Sequence, residues 1–256
     1  MLSIRGEFKI VEVGNVVYCD NLSWRENVFK DRFDGGKVLA EFLTYTVPNI
    51  LKRKIAIFAL VAGGVPVTYA LSKTLKKQFD ILVVKKITYP WTTEAGFGAV
   101  APDGTYVYDK FVAENYLGYS EEDVKHLANE VKGYVINRTL RLRGSLEYPN
   151  MKDYTVVIVD DGIATGYTMV VATRFLRKKN VSKIIVASPT ASNTGLQLVS
   201  KEADKVVIVN VRSSPYAVAD AYLEWHDVSD GEVLGILAEA EKANLYPPTW
   251  RTNRNI

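Results

Sequence analysis

Two adjacent carboxylates, Asp160 and Asp161, are followed within a few residues by two hydroxyls, Thr165 and Thr168, and two glycines, Gly162 and Gly166. Neighbouring carboxylates can accept hydrogen bonds from sugar hydroxyls or hold a hydrated metal ion. The run Ala164, Thr165, Gly166, Tyr167, Thr168 offers backbone N–H groups and both hydroxyls where a helix is about to begin. Unsatisfied donors and the helix dipole favour a phosphate there. The glycines allow tight turning and close approach of backbone to a ligand.

The elements that must position these groups are legible on either side. Val156–Val159 is a continuous apolar run, as expected of a central parallel strand covered on both faces. Its carboxyl end, where open α/β sheets bind ligands, carries the acidic pair. Residues 166–179 have a helical pattern. A second unit of the same kind stands earlier: a buried strand Ile55–Val61, a turn through Ala62, Gly63 and Gly64, and a helix Val67–Lys77 with Pro66 near its start. A short strand Ile81–Val84 then ends in Lys85 and Lys86. Taken alone, the glycine pair reads equally well as a tight strand–helix turn, and the lysine pair as a solvated strand end.

The ordered string 156–169 resembles the PRPP-binding signature of type I phosphoribosyltransferases, which exchange the pyrophosphate of 5-phosphoribosyl-1-pyrophosphate (PRPP) for a nitrogenous base. Residues 29 to about 240 are similar to a little-characterised bacterial and archaeal group of such proteins. The resemblance implies that Asp160 and Asp161 hold the ribose hydroxyls and that Ala164, Thr165, Gly166, Tyr167 and Thr168 cradle the 5′-phosphate. It implies that Ala62, Gly63 and Gly64 form the pyrophosphate loop, with Lys85 and Lys86 as the basic pair beside it. The group's pattern has Arg where this chain has Ala62. The fold implied is α/β, a mainly parallel five-stranded sheet flanked by helices, with a flexible loop and a C-terminal hood. Mg²⁺ is implied as cofactor, bound chiefly through PRPP oxygens and water rather than by direct protein ligation. A homodimer is the expected assembly.

Residues 88–110 lack a period and contain Pro90, Gly96, Gly98, Pro102 and Gly104, so a long flexible connection is expected, with 97–100 and 106–108 able to pair as a hairpin. This is where type I enzymes carry the loop that closes over the reacting centre. Position 164 is Ala, where enzymes acting on 6-oxopurines often place an Asp near the base. Glu94, in the loop, is therefore the candidate proton acceptor, as in adenine-type enzymes; the plainer reading is an exposed carboxylate. In the hood, Tyr216 corresponds to an aromatic that stacks on the base, and Glu224 to a later acidic residue; without the resemblance Tyr216 reads as packing. His226 reads as structural, and Arg138, Arg141 and Arg143 as a solvated helix end.

The organisation expected is an appended hairpin over 1–28, a core over 29–211 with an insertion at 88–150, a hood and last helix over 212–242, and a tail over 243–256, loose or docked on a partner. Residues 144–153 read as a linker. With 256 residues, 48% hydrophobic and 24% charged, the chain has the makings of a soluble globular protein with a sizeable core. No apolar run approaches the roughly 20 residues of a membrane span, and the first residues show no signal-peptide pattern. A single cysteine, Cys19, fits a reducing cytosol, and a net charge of +3 is too small to argue for nucleic acid. The function expected is Mg²⁺-dependent phosphoribosyl transfer to a purine or pyrimidine in nucleotide salvage. The alternatives are a PRPP- or nucleotide-binding regulator without turnover, motivated by Ala62 and Ala164, and, more remotely, an acidic-pair phosphotransfer domain.

Overall fold

The computed structural model describes residues 8–92 and 95–251. All seven residues of β3 (Ile55–Val61) and all five of β8 (Thr155–Val159) are buried. That burial is why both read as unbroken apolar runs rather than alternating ones. They lie side by side and parallel, with Ala59 opposite Val159. Around them the main sheet has seven strands in the order β1-β2-β10-β9-β8-β3-β4, completed by β1 (Ile10–Val13), β2 (Val16–Cys19), β4 (Phe79–Val83), β9 (Lys183–Ser192) and β10 (Lys205–Arg212).

The five strands from β10 to β4 are the expected parallel core. The sheet is wider than expected because the N-terminal hairpin is no appendage: β2 continues the sheet beside β10, with Val207 opposite Val17. Val17 and Cys19 are accordingly buried. The Asn15 side-chain amide fixes the register by donating to the carbonyls of Ser200 and Ala203.

Helices cover both faces. α1 (Arg32–Thr46) and α2 (Gly64–Leu75), together with α7 (Asp230–Lys242), enclose one core around Leu39, Phe42, Leu71 and Phe79. α5 (Tyr167–Arg177) and α6 (Asn193–Val199) contribute to the other around Phe58, Met169 and Phe175. Gly36 is required where α1 crosses α2, since a Cβ there would overlap the Val67 carbonyl.

Within the segment expected as a flexible connection, the 97–100/106–108 hairpin is present and a third strand joins it. β5 (Lys85–Thr88), β6 (Gly96–Val100) and β7 (Tyr106–Tyr108) form a separate antiparallel sheet. The glycines that suggested a loop permit close strand pairing instead: a Cβ at Gly96 would stand 2.7 Å from the Ile87 carbonyl. α3 (Lys110–Asn115) and α4 (Glu121–Arg143) follow, the latter opened by a reciprocal Ser120–Asp123 capping box. Val124 and Ala128 of α4 seal a third small core with Ile87 and Phe97.

Two other expectations fail for one reason, a buried ion pair. Arg143 is not on a solvated face: it pairs at 2.7 Å with Asp80 of β4, both side chains being fully buried. Its Nη1 also donates to the carbonyls of Ser145 and Glu147, which holds the supposed linker, and Tyr148 and Met151 are buried there. Arg138 and Arg141 pair with Asp230 of α7. The tail as far as Arg251 docks on its own chain, with Trp250 buried against Phe58 at 5.3 Å and the Leu245 carbonyl accepting from Phe79 N–H at 3.0 Å. No helix among the described residues is long and apolar enough to cross a membrane.

Candidate active site

From β3 the chain runs on to β4 at one side of the sheet, whereas from β8 it runs to β9 and β10 at the other. The strand order therefore reverses between β3 and β8, and the crevice at their carboxyl ends is where such sheets receive ligands. The Val61–Gly64 turn and the Asp160–Gly166 loop leave the sheet side by side at this point. Gly64 packs so closely on the signature that a Cβ would stand 2.7 Å from the Val159 carbonyl and 3.1 Å from Asp160 Cα. The peptide joining Val61 to Ala62 is cis.

Helix ends distinguish these two turns from the rest of the molecule. Side chains cap α1 (Asp31), α3 (Asp109), α4 (Ser120), α6 (Ser192) and α7 (Ser229). α2 and α5 begin at Gly63 and Gly166 with no side-chain cap. At α5 the first-turn amides are left to an outside acceptor, whereas at α2 the Val65 N–H already donates to the Ala62 carbonyl at 3.0 Å and Pro66 has none, which leaves the Gly63 and Gly64 amides; both helix ends face the crevice end of the sheet. Gly166 takes φ +91°, a left-handed conformation natural to glycine, and turns the loop into α5. The loop before it is pinned by Ile163, whose N–H and C=O bond the Thr190 carbonyl and the Ser192 N–H. Ser192 Oγ donates to the Ala164 carbonyl at 2.5 Å. Thr165 is exposed and Thr168 half-buried, both beside the free amides.

The two carboxylates differ. Asp160 Oδ1 accepts the Asp161 N–H at 3.0 Å. Burial, and then the neighbouring Asp161 charge, push its carboxyl well above the ordinary range, while Lys86 pulls the other way. Asp161 is gripped on several sides. Arg32 Nε donates to its Oδ2 at 2.8 Å, Tyr222 Oη donates to its carbonyl at 2.6 Å, and its carboxylate lies against Gly63, where a Cβ would overlap it.

The remaining sequence-derived candidates divide. Lys86 acts electrostatically on Asp160. Lys85, its neighbour on β5, turns the other way and stands over the Tyr134 ring of α4 at 3.9 Å. Tyr167 Oη donates to Asp109 at 3.0 Å, tying the phosphate-loop helix to the cap of α3. Tyr216 is half-buried in the hood with its hydroxyl 3.4 Å from Thr190 Oγ1 and both signature carboxylates acting on it. Glu224 is placed elsewhere: exposed, 3.7 Å from Lys30, it borders a cavity of about 260 Å³ with Phe33, Pro66 and Ile236, on the far flank of Arg32. No signature residue lines that cavity. Glu94 lies outside the described residues.

Arg32 is the site residue that sequence reasoning missed. Its partner is 129 positions away, and only its place at the start of an amphipathic helix marks it in the sequence. Among the described residues, no group of three or more His, Cys, Asp or Glu side chains is placed to hold a metal.

Comparison with known proteins agrees with this geometry. The phosphoribosyl transferase domain matches residues 49–224. The Mycobacterium tuberculosis protein Rv0571c, provisionally named a phosphoribosyl transferase, is 30% identical over 216 residues, which are 84% of this chain and 47% of that protein. A ribose-phosphate pyrophosphokinase of Pyrococcus furiosus is 31% identical over 142 residues, 53% of this chain and 47% of that one. This chain thus spans about half the length of the curated relatives it matches. The crystal structure of TT1426 from Thermus thermophilus superposes with a TM-score of 0.65 at 29% identity, covering 82% of this chain and 98% of that one. The acidic pair at the switch point, the two open helix ends and the match over 49–224 agree: the chain belongs to the phosphoribosyl transferase domain family.

Proposed function

We propose that this protein transfers the 5-phosphoribosyl group of PRPP to a nitrogenous base, giving a nucleoside monophosphate and pyrophosphate. The observation that carries the reading is the pair of helix N-termini without side-chain caps, α2 and α5, on either side of the acidic pair. PRPP has an anionic group at each end of a sugar diol, and the crevice offers donors, carboxylates and donors in that order. The relative named a ribose-phosphate pyrophosphokinase supports a site of this kind.

In this reading the amides of Ala164–Thr168, with the Thr165 and Thr168 hydroxyls, hold the 5′-phosphate. Asp160 and Asp161 take the ribose hydroxyls. The Ala62–Gly64 turn and Lys86 take the pyrophosphate, and their donors stabilise the charge it gains as its bond to the sugar breaks. Tyr216 offers its ring to the base, and Glu94 accepts the proton the base loses on forming its bond to the sugar. The donor set fits a hydrated Mg²⁺: Asp160 presents hard oxygens at the strand end, and the ion would screen pyrophosphate charge while keeping most of its water. A homodimeric, cytoplasmic salvage enzyme is the setting implied.

The test is pyrophosphate release from PRPP with Mg²⁺ across adenine, hypoxanthine, guanine, xanthine, uracil, orotate and nicotinate. Release dependent on one base is the expected result. Ala62, where the related group has Arg, favours a second reading, a PRPP-binding regulator. PRPP binding by calorimetry with no release for any base would select it.

A further inference from the structure

A guanidinium buried to 6% exposure is costly unless its donors are met, and those of Arg32 are met in an unusual way. Arg32 opens α1, where Asp31 caps the helix by accepting the Asp34 N–H. Its Nε reaches Asp161 Oδ2 at 2.8 Å and its Nη1 the His226 carbonyl at 2.7 Å, while its plane lies 3.7 Å from the Trp225 ring centroid. One side chain therefore joins three segments distant in sequence: α1, the signature loop and the hood segment that leads into α7. Asp161 stands between Arg32 and the Gly63 turn, its carboxylate filling the space a side chain at Gly63 would need. Tyr222, whose ring packs on Trp225 at 5.5 Å, holds the Asp161 main chain.

We propose that Arg32 is a positioning residue for PRPP: acting through Asp161, it sets the spacing between the acidic pair and the pyrophosphate turn and supplies that end of the crevice with the cation that Ala62 does not. The inference rests on the phosphoribosyl reading of the site. A bound PRPP would have its diol and its pyrophosphate on the two sides of Asp161, whose Oδ2, the oxygen bonded to Arg32, already lies against the Gly63 turn. The guanidinium fixes that oxygen and offsets the negative charge it would otherwise turn toward the leaving group. Asp160, which accepts the Asp161 N–H and is not bonded to Arg32, is left as the carboxylate best placed to adapt to the sugar.

The test is PRPP affinity by calorimetry, with Mg²⁺ present, for the full chain and for Arg32→Ala, Arg32→Lys, Asp161→Asn and the Arg32→Ala/Asp161→Asn double variant. Arg32→Ala is expected to weaken binding about tenfold, and the double variant to bind no more than about threefold worse than the weaker single one, because both changes remove one contact. Arg32→Lys restores the opposing charge and recovers most of the affinity. If Arg32→Ala fails to fold, the comparison of Arg32→Lys with Arg32→Gln decides, affinity kept by Lys and lost by Gln being the expected pattern. Wild-type affinity in Arg32→Ala, or equal affinity in the Lys and Gln variants, overturns the proposal, as do single losses that multiply in the double variant. No PRPP binding by the wild-type chain overturns the phosphoribosyl reading itself, which is a different failure.

Discussion

Asp160 holds its proton more tightly in the folded chain than in the unfolded one, because burial and the Asp161 carboxylate both oppose its charge. A group of this sign contributes stability that is complete below its ordinary value of 3.8 and is lost as pH rises through the folded value. As pH rises, the buried carboxyl therefore stabilises the fold less. Asp160→Asn is expected to raise the melting temperature at pH about 7.5, to lose that advantage near pH about 4, and to weaken PRPP binding. Melts of the two proteins across this range that stay parallel would refute the assignment. Asp160 was legible from sequence because strand, carboxylates and loop are contiguous. Arg32 was not, since nothing local in an amphipathic helix announces an ion pair formed across 129 positions.

Among the elements, the two strand–turn–helix units were read almost to their ends, because a strand buried on both faces leaves an unbroken β-branched run that little else produces. In the inserted sheet the 97–100/106–108 hairpin was legible, but the third strand, β5, was not, because it is four residues long and the glycines opposite it serve close pairing rather than turning. Besides Lys86 of β5, the insertion reaches the crevice through the Tyr167–Asp109 bond at the cap of α3, so Tyr167→Phe should cost about 1 kcal/mol of stability in denaturant titration. A shift of the transition far beyond that would show that the bond carries more than one contact's worth. The turn after β3 is less tolerant. Gly63→Ala drives a methyl into the Asp161 carboxylate and should displace it from Arg32, with PRPP affinity falling more than overall stability does. Calorimetry beside a thermal melt separates the two.

At the scale of the molecule, both margins of the main sheet are guarded by segments far from the signature. The β1–β2 hairpin extends the sheet on one side, and the tail covers β4 on the other through Leu245 and through Arg251, which reaches the buried Asp80–Arg143 pair. Composition cannot reveal such closures, since a tail with two prolines reads as loose until its tryptophan is seen against Phe58. Arg143→Ala leaves Asp80 buried without its main partner, and a loss of about 3–5 kcal/mol in denaturant unfolding is expected, with PRPP binding intact in the protein that remains folded. The open ends of α2 and α5 have an outcome that belongs to time rather than to energy. Amides that no protein group accepts can trade hydrogen with solvent freely, so in deuterated buffer the amides of Gly63 and Gly64 and of the peptide spanning 164–169 should label early, while Val65, bonded to the Ala62 carbonyl, lags. Bound inorganic pyrophosphate should slow the first of these and ribose 5-phosphate the second, which would map each half of the crevice separately and without any turnover.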